Sequence, residues 1–166
     1  MRNKVKKNDL LDTISFRPET PEDHDFLLGL YASTRAAEMA AVDWPDAEKD
    51  RFVRMQFFAQ SKHYKESYDA EWLIILRDGQ PIGRLYLHQL EGDLRIVDIT
   101  ISPNQRGQGI GRMLLEDIME RAGAKGHKVS IHVENFNPAL RLYERLGFQQ
   151  ISTYGVYYLM EWFPER

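Results

Sequence analysis

Apolar positions change their period along this chain, and the sharpest change lies between Ile96 and Leu115. Val97, Ile99 and Ile101 alternate with Asp98, Thr100 and Ser102, the pattern of a strand with one buried face. Ser102-Pro103-Asn104 ends that strand. From Ile110 onward the apolar residues recur as Met113, Leu114, Ile118 and Ala122, the spacing of one helix face. Between the two stands Arg106-Gly107-Gln108-Gly109-Ile110-Gly111. A strand, a glycine turn and a helix in this order make an anion site. The first N–H groups of a helix have no internal acceptor and carry the positive end of its dipole, and glycines let an anion reach the backbone.

The same two periods divide the rest of the chain. Residues 1–11 read as a solvated basic arm with Arg2, Lys4, Lys6 and Lys7, and residues 12–166 as a single domain. Thr13 to Arg17 predicts a short strand. Thr20-Pro21-Glu22-Asp23 opens a helix, with Thr20 as cap and proline at the first position. Its stripe is Phe26, Leu27, Leu30, Tyr31 and Thr34, and it runs to Met39. Asp43-Trp44-Pro45 turns the chain. Asp46 caps a second helix, with Phe52, Met55 and Phe58/Ala59 expected on its inner side, and Ser61 to Asp69 reads as a surface loop. Strands follow at 71–76, 81–90 and 94–102, joined by hairpin turns at Asp78-Gly79 and Glu91-Gly92-Asp93. Residues 127–133 form a strand that follows a crossover helix and should therefore run parallel to 94–102. Asn137-Pro138 starts the last helix, Gly147 ends it, and strands at 148–152 and 157–162 follow. The predicted order is β-α-α-β-β-β-α-β-α-β-β, an α/β fold with a mixed sheet.

Composition narrows the function classes. A formal net charge of −3 supplies no basic surface for nucleic acid or an anionic membrane. No run approaches the roughly 20 apolar residues of a membrane span. The absence of cysteine removes disulfides, thiolate metal ligands and a cysteine nucleophile, and fits a cytoplasmic protein. The 5 histidines are scattered without ligand spacing, so no metal is expected.

Several phosphate-binding patterns compete at the glycine turn. A P-loop needs lysine after its last glycine, where Arg112 stands. A dinucleotide fingerprint fits Gly107 and Gly109 but finds its third glycine at 111 instead of 112, although Glu134 ends the next strand where a ribose-binding acid would sit. A tight turn with spare glycines needs no ligand at all. The remaining pattern, Q/R-x-x-G-x-G/A, is matched by Arg106, Gly109 and Gly111 and resembles the acetyl-CoA pyrophosphate loop of the GNAT superfamily of N-acetyltransferases. A second segment, from Asn137 to Phe148, is similar to that family's N-x-x-A-x-x-L-Y-x-x-x-G-F stretch. Ala139, Leu142, Tyr143, Gly147 and Phe148 match it in register. Its asparagine departs: Phe136 occupies the commonest position, flanked by Asn135 and Asn137.

The resemblance covers nearly the whole chain after the first ten residues, and it implies the GNAT fold. It also implies acetyl-CoA as the acyl donor. Backbone groups of Ile99, Thr100 and Ile101 would hold the pantetheine arm, and Arg106, Gly107, Gln108, Gly109, Ile110, Gly111 and Arg112 the diphosphate. Asn135, Asn137, Ala139 and Tyr143 would complete the cofactor site. Tyr143 would act as general acid toward the leaving thiolate. Asp98 is the candidate general base, with Glu71, Glu38 and His132 as alternatives. The acceptor, a small-molecule or peptide amine, would sit under the first two helices near Glu38, Trp44 and Tyr64, where acids beside aromatics suit a cationic amine. Homodimers are frequent in the family, so the resemblance extends to that state. Two other functions stay open: a non-catalytic acyl-CoA-binding module of the same fold, and a nucleotide-binding oxidoreductase fragment.

Overall fold

The computed structural model describes residues 7–166. The elements are α1 (Lys7–Thr13), β1 (Ile14–Pro18), a 3-10 turn (Pro21–Asp23), α2 (His24–Ala40), α3 (Asp46–Ser67), β2 (Glu71–Arg77), β3 (Gln80–Leu90) and β4 (Asp93–Ile101). A second 3-10 turn (Pro103–Gln105) leads to α4 (Ile110–Gly123), β5 (Lys128–Glu134), α5 (Leu140–Arg145), β6 (Gln149–Tyr154) and β7 (Tyr157–Trp162). The strands form one mixed sheet in the order β1-β2-β3-β4-β5-β7-β6. β4 and β5 pair in parallel because α4 carries the chain back across the sheet; the neighbours on either side are antiparallel.

Two features of β4 position the site. Its pairing with β5 runs only from Asp93↔Lys128 to Ile96↔Ile131. Beyond Ile96, β4 stays with β3 as far as Gly83↔Ile101, while β5 stays with β7 as far as Glu134↔Tyr157. The sheet therefore splits into a cleft between its two halves. Val97 also stands outside the register with β3, since Tyr86 faces Asp98 and Leu87 faces Ile96. This bulge shifts the alternation by one residue. Ile96 and Ile99 thus both pack toward α4, and Asp98 and Thr100 face the opposite side.

Each sheet face has its own core. Leu87, Leu94, Ile96, Ile118, Val129 and Ile131 pack beneath α4, and Leu27, Tyr31, Val53, Phe57 and Ile74 beneath α2 and α3. Among the described residues no helix is long and apolar enough to cross a membrane.

Three expectations need correction. Of the supposed arm, residues 1–6 lie outside the described residues, but Lys7–Thr13 is a helix, and its Leu10 is only 5% exposed in the α4-side core. The lysine-rich flank had masked the one apolar anchor. In α3 the buried residues are Val53 and Phe57, while Met55 and Phe58 are 61% and 70% exposed. The helix also continues through the expected loop to Ser67. Its inward stripe runs Val53, Phe57, Gln60, Tyr64. The last two positions are polar because they face the cleft, so a search for apolar repeats selects the wrong side and stops early.

Candidate active site

The glycine turn keeps its donors free. Gly107 and Gly109 adopt φ of 74° and 86°, which other residues rarely do, and Gly109 is the N-cap of α4. Among the described residues none of the backbone N–H groups from Gly107 to Arg112 donates a hydrogen bond within the protein, and no side chain caps the helix. The turn is braced from outside. Arg77 Nη1 donates to Gln105 Oε1 at 2.9 Å and Gln108 Oε1 at 2.6 Å, and Arg106 Nε donates to the Ile101 carbonyl at 2.9 Å. Ile110, 1% exposed, roots the helix start in the core.

A cavity of about 220 Å³ occupies the split between β4 and β5, walled by Asp98, Ile99, Thr100, Glu134, Asn137 and Tyr143 among others. Tyr143 is 4% exposed, and its ring meets Phe148 edge-on at 5.6 Å between centroids. Its hydroxyl makes no hydrogen bond to the described residues and belongs to the cavity wall. Burial and, next, the negative charge of Asp98 push its pKa above the ordinary phenol value, so the group holds its proton. Asn137 Oδ1 accepts the Ala139 N–H at 2.8 Å and so turns the chain into α5. Of the three residues expected here only Asn137 lines the cavity; Asn135 is exposed, and Ala139 packs against the α4-side core. The Asn135 N–H is taken by the Val156 carbonyl at 2.8 Å.

Asp98 sits at the centre of a buried network. Its Oδ2 accepts from Tyr64 Oη at 3.0 Å and Arg84 Nη2 at 2.8 Å, and its Oδ1 from Thr100 Oγ1 at 2.6 Å. Arg84 is 3% exposed, also donates to Gln60 Oε1 at 2.8 Å, and keeps a buried Nε without a partner. Burial and the neighbouring carboxylate raise the Tyr64 pKa as well.

A second cavity of about 330 Å³ continues from the first, sharing Gln60, Tyr64, Val97, His132 and Tyr157 as walls and adding His63, Tyr68, Arg95 and Tyr154 among others. Of the residues expected at the acceptor, Tyr64 lines this aromatic cavity. Glu38 and Trp44 line neither cavity: Glu38 pairs with Arg35 at 3.0 Å, and Trp44 packs on Phe52 at 5.4 Å between ring centroids. A larger cavity, about 580 Å³, lies on the other flank of Tyr64 between α2 and α3, and shares only that residue with the cleft. Arg84, Gln60 and Tyr157 escaped the sequence reading. Arg84 alone left a signal: a charge inside a strand whose neighbours Gly83, Leu85, Tyr86 and Leu87 are all buried needs a buried partner.

Comparison with known proteins matches the fold. A sequence model of the family described as "Acetyltransferase (GNAT) family" matches residues 33–148. Acetyltransferase Atu2258 of Agrobacterium fabrum is 32% identical over 117 residues, which is 68% of this chain and 85% of that protein. The crystal structure of the PaiA N-acetyltransferase from Thermoplasma acidophilum in complex with coenzyme A aligns with a TM-score of 0.66 at 18% identity, over 91% of this chain and 99% of that one. The ribosomal-protein-S18-alanine N-acetyltransferase of Escherichia coli aligns at 0.58 and 16% identity, over 89% and 92%. At such identities the structural likeness speaks for the fold alone.

Proposed function

The chain belongs to the acetyltransferase (GNAT) family, and from that premise we propose that it moves the acetyl group of acetyl-CoA to a primary amine by direct attack. One observation carries the reading. A row of backbone N–H groups without partners among the described residues, from Gly107 to Arg112, follows the end of β4 in the chain, and the cleft beside β4 has Tyr143, whose hydroxyl bonds nothing there, in its wall. The row suits the diphosphate of CoA, which brings the acetyl thioester. The split strand suits the pantetheine arm, whose amides can add to the free edge of β4 at Ile99. The Ile101 carbonyl already accepts from Arg106. An N–H near Ile99 is placed to receive the oxyanion. Asn137 completes the cofactor wall beside Tyr143.

Tyr143 is the general acid. Its phenol keeps its proton until a departing sulfur needs it. Asp98, the candidate base from sequence, takes a different part here. Both its oxygens already accept hydrogen bonds, so it acts as a positioning residue that holds Tyr64 and Arg84 against the cleft. The acceptor chamber is aromatic and open at the surface, with Tyr64, Tyr68 and Tyr157 as its rings. Small-molecule amines and peptide amines together form the acceptor class to be tested. A homodimer and a cytoplasmic setting fit this function.

The test follows thiol release from acetyl-CoA across small amines and peptide N-termini. At least one acceptor should give turnover. Tyr143→Phe should then lose on the order of 10²–10⁴-fold in kcat, with CoA affinity and thermal stability retained, since the hydroxyl bonds nothing in the protein. Unchanged turnover in Tyr143→Phe removes the acid role. CoA binding without turnover on any amine leaves a non-catalytic acyl-CoA-binding module.

A further inference from the structure

An ammonium cannot attack a thioester; it must first give up a proton to a group with a free lone pair on the cleft wall. The side chains there can be sorted by what their lone pairs already do. Asp98 accepts from Tyr64, Arg84 and Thr100 over its two oxygens. His132 has its Nδ1 3.2 Å from Arg95 Nη1. A guanidinium nitrogen only donates, so Nδ1 is the acceptor and the ring proton of the neutral imidazole sits on Nε2. Partial burial and the Arg95 charge hold this histidine below its ordinary pKa, in keeping with the neutral form. That ring therefore presents a donor, not a base. Tyr64 donates to Asp98, and His63 lines only the outer chamber.

Glu134 remains. It is the last residue of β5, on the strand face of Ser130 and His132, opposite the buried Val129, Ile131 and Val133. It lines the same cavity as Tyr143 and Asn137. Among the described residues its carboxylate makes no hydrogen bond and no ion pair, whereas Asp98, the other carboxylate of that cavity, is engaged. Its backbone, by contrast, is fixed: Glu134 faces Tyr157 in the ladder with β7, and its carbonyl accepts the Asn137 N–H at 2.9 Å. A half-buried carboxylate on a rigid strand end, with both oxygens free and a general-acid candidate in the same cleft, meets the geometric requirement for a proton acceptor.

We propose that Glu134 is the general base, taking the ammonium proton of the acceptor directly or through one water. The step balances as follows. Glu134 accepts one proton from R–NH₃⁺, and the freed nitrogen lone pair forms the C–N bond at the thioester carbonyl. The tetrahedral adduct collapses, the C–S bond breaks, and Tyr143 gives its proton to the leaving sulfur. The second nitrogen proton returns to the Tyr143 phenolate, and Glu134 releases its proton to solvent. The products are the amide, CoA–SH and one proton. Base and acid are then separate groups, Glu134 from β5 and Tyr143 from α5, held by the turn that Asn137 stabilises.

The inference rests on the acetyl-transfer reading, and the experiment separates the two. Wild type, Glu134→Gln, Glu134→Ala and Tyr143→Phe are compared for kcat/KM between pH 6 and pH 10 (about that range, bounded by the amine's pKa near 10.4), with CoA affinity and unfolding measured beside them. Glu134→Gln should lose about a hundredfold or more at neutral pH. The loss should shrink as pH rises, because more amine is already neutral and needs no base. Formate added to Glu134→Ala should restore part of the rate, and should restore none to Tyr143→Phe. CoA affinity and unfolding should match wild type. Equal loss at every pH, no formate rescue, or parallel loss of CoA binding would make Glu134 structural and overturn the proposal, as would a wild-type rate in Glu134→Gln. Wild type without turnover on any amine overturns the acetyl-transfer reading and the base with it.

Discussion

Replacing Asp98 by alanine should destabilise the fold strongly, and the structure says by how much. The Arg84 and Asp98 side chains are 4% and 10% exposed and meet at 2.8 Å. At an effective dielectric near 20 the bare attraction is roughly 6 kcal/mol, but most of it repays the desolvation of both charges. Deleting one partner is another matter. Arg84 would keep its charge while retaining only Gln60 as an acceptor, and its Nε has none already. Uncompensated buried charges of this kind cost about 3–5 kcal/mol. In a domain of this size about 2–4 °C follows each kcal/mol, so the midpoint should fall by roughly 10 °C. Urea unfolding followed by circular dichroism would measure the free energy, with an unchanged slope confirming that both states are comparable. The double variant Arg84→Met with Asp98→Leu should recover most of the loss, because an apolar pair replaces a buried ion pair at little net cost. A single-variant loss below about 1 kcal/mol, or a double variant as unstable as the sum of its singles, would refute the reasoning.

Three other outcomes follow from particular contacts. Gly83→Ala would drive a Cβ into the Thr100 carbonyl and to 3.2 Å from both Ile101 Cα and Ile75 Cδ1, so it should cost about 2–3 kcal/mol and weaken CoA binding by disturbing β4, both readable by calorimetry. Leu10→Ala should cost about 2–4 kcal/mol and lower CoA affinity, because the Leu10 side chain packs on the core beside Gly109; a variant as stable as wild type would show that α1 carries no load. Asp23 accepts two bonds from Arg17, at 2.8 and 2.7 Å, and the Thr20 N–H at 2.8 Å, which together hold its carboxyl below the usual value. A depressed carboxyl stabilises the fold above its unfolded pKa of about 3.9 and loses that effect as pH falls through its folded value. Asp23→Asn should therefore be less stable than wild type at neutral pH, with the gap closing in acid, as urea titrations across pH would show.

The chain's local patterns determined a good deal on their own. The strand, glycine turn and helix from Ile96 to Leu115 are legible because period and glycine placement are properties of neighbouring residues. The parallel pairing of β4 with β5 follows from an intervening helix, and the register of Ala139, Tyr143 and Gly147 from a spacing within a dozen positions. Tertiary structure decided what lies further apart. Gln60 and Tyr64 look like the end of a helix dissolving into a loop until Arg84 and Asp98 arrive from β3 and β4 to bind them. Asp98 looks like the free acid of the central strand, and only its contacts, from Tyr64 34 positions away and Arg84 14 away, show it engaged. Glu134 looks like a strand-end acid suited to a ribose until β4 turns away from β5 and leaves it facing the cleft. The physical reason is common to all three. Periodicity reports which face of an element is apolar, but a polar residue turned toward solvent and one turned toward a polar cleft leave the same mark in a sequence. Only packing distinguishes them.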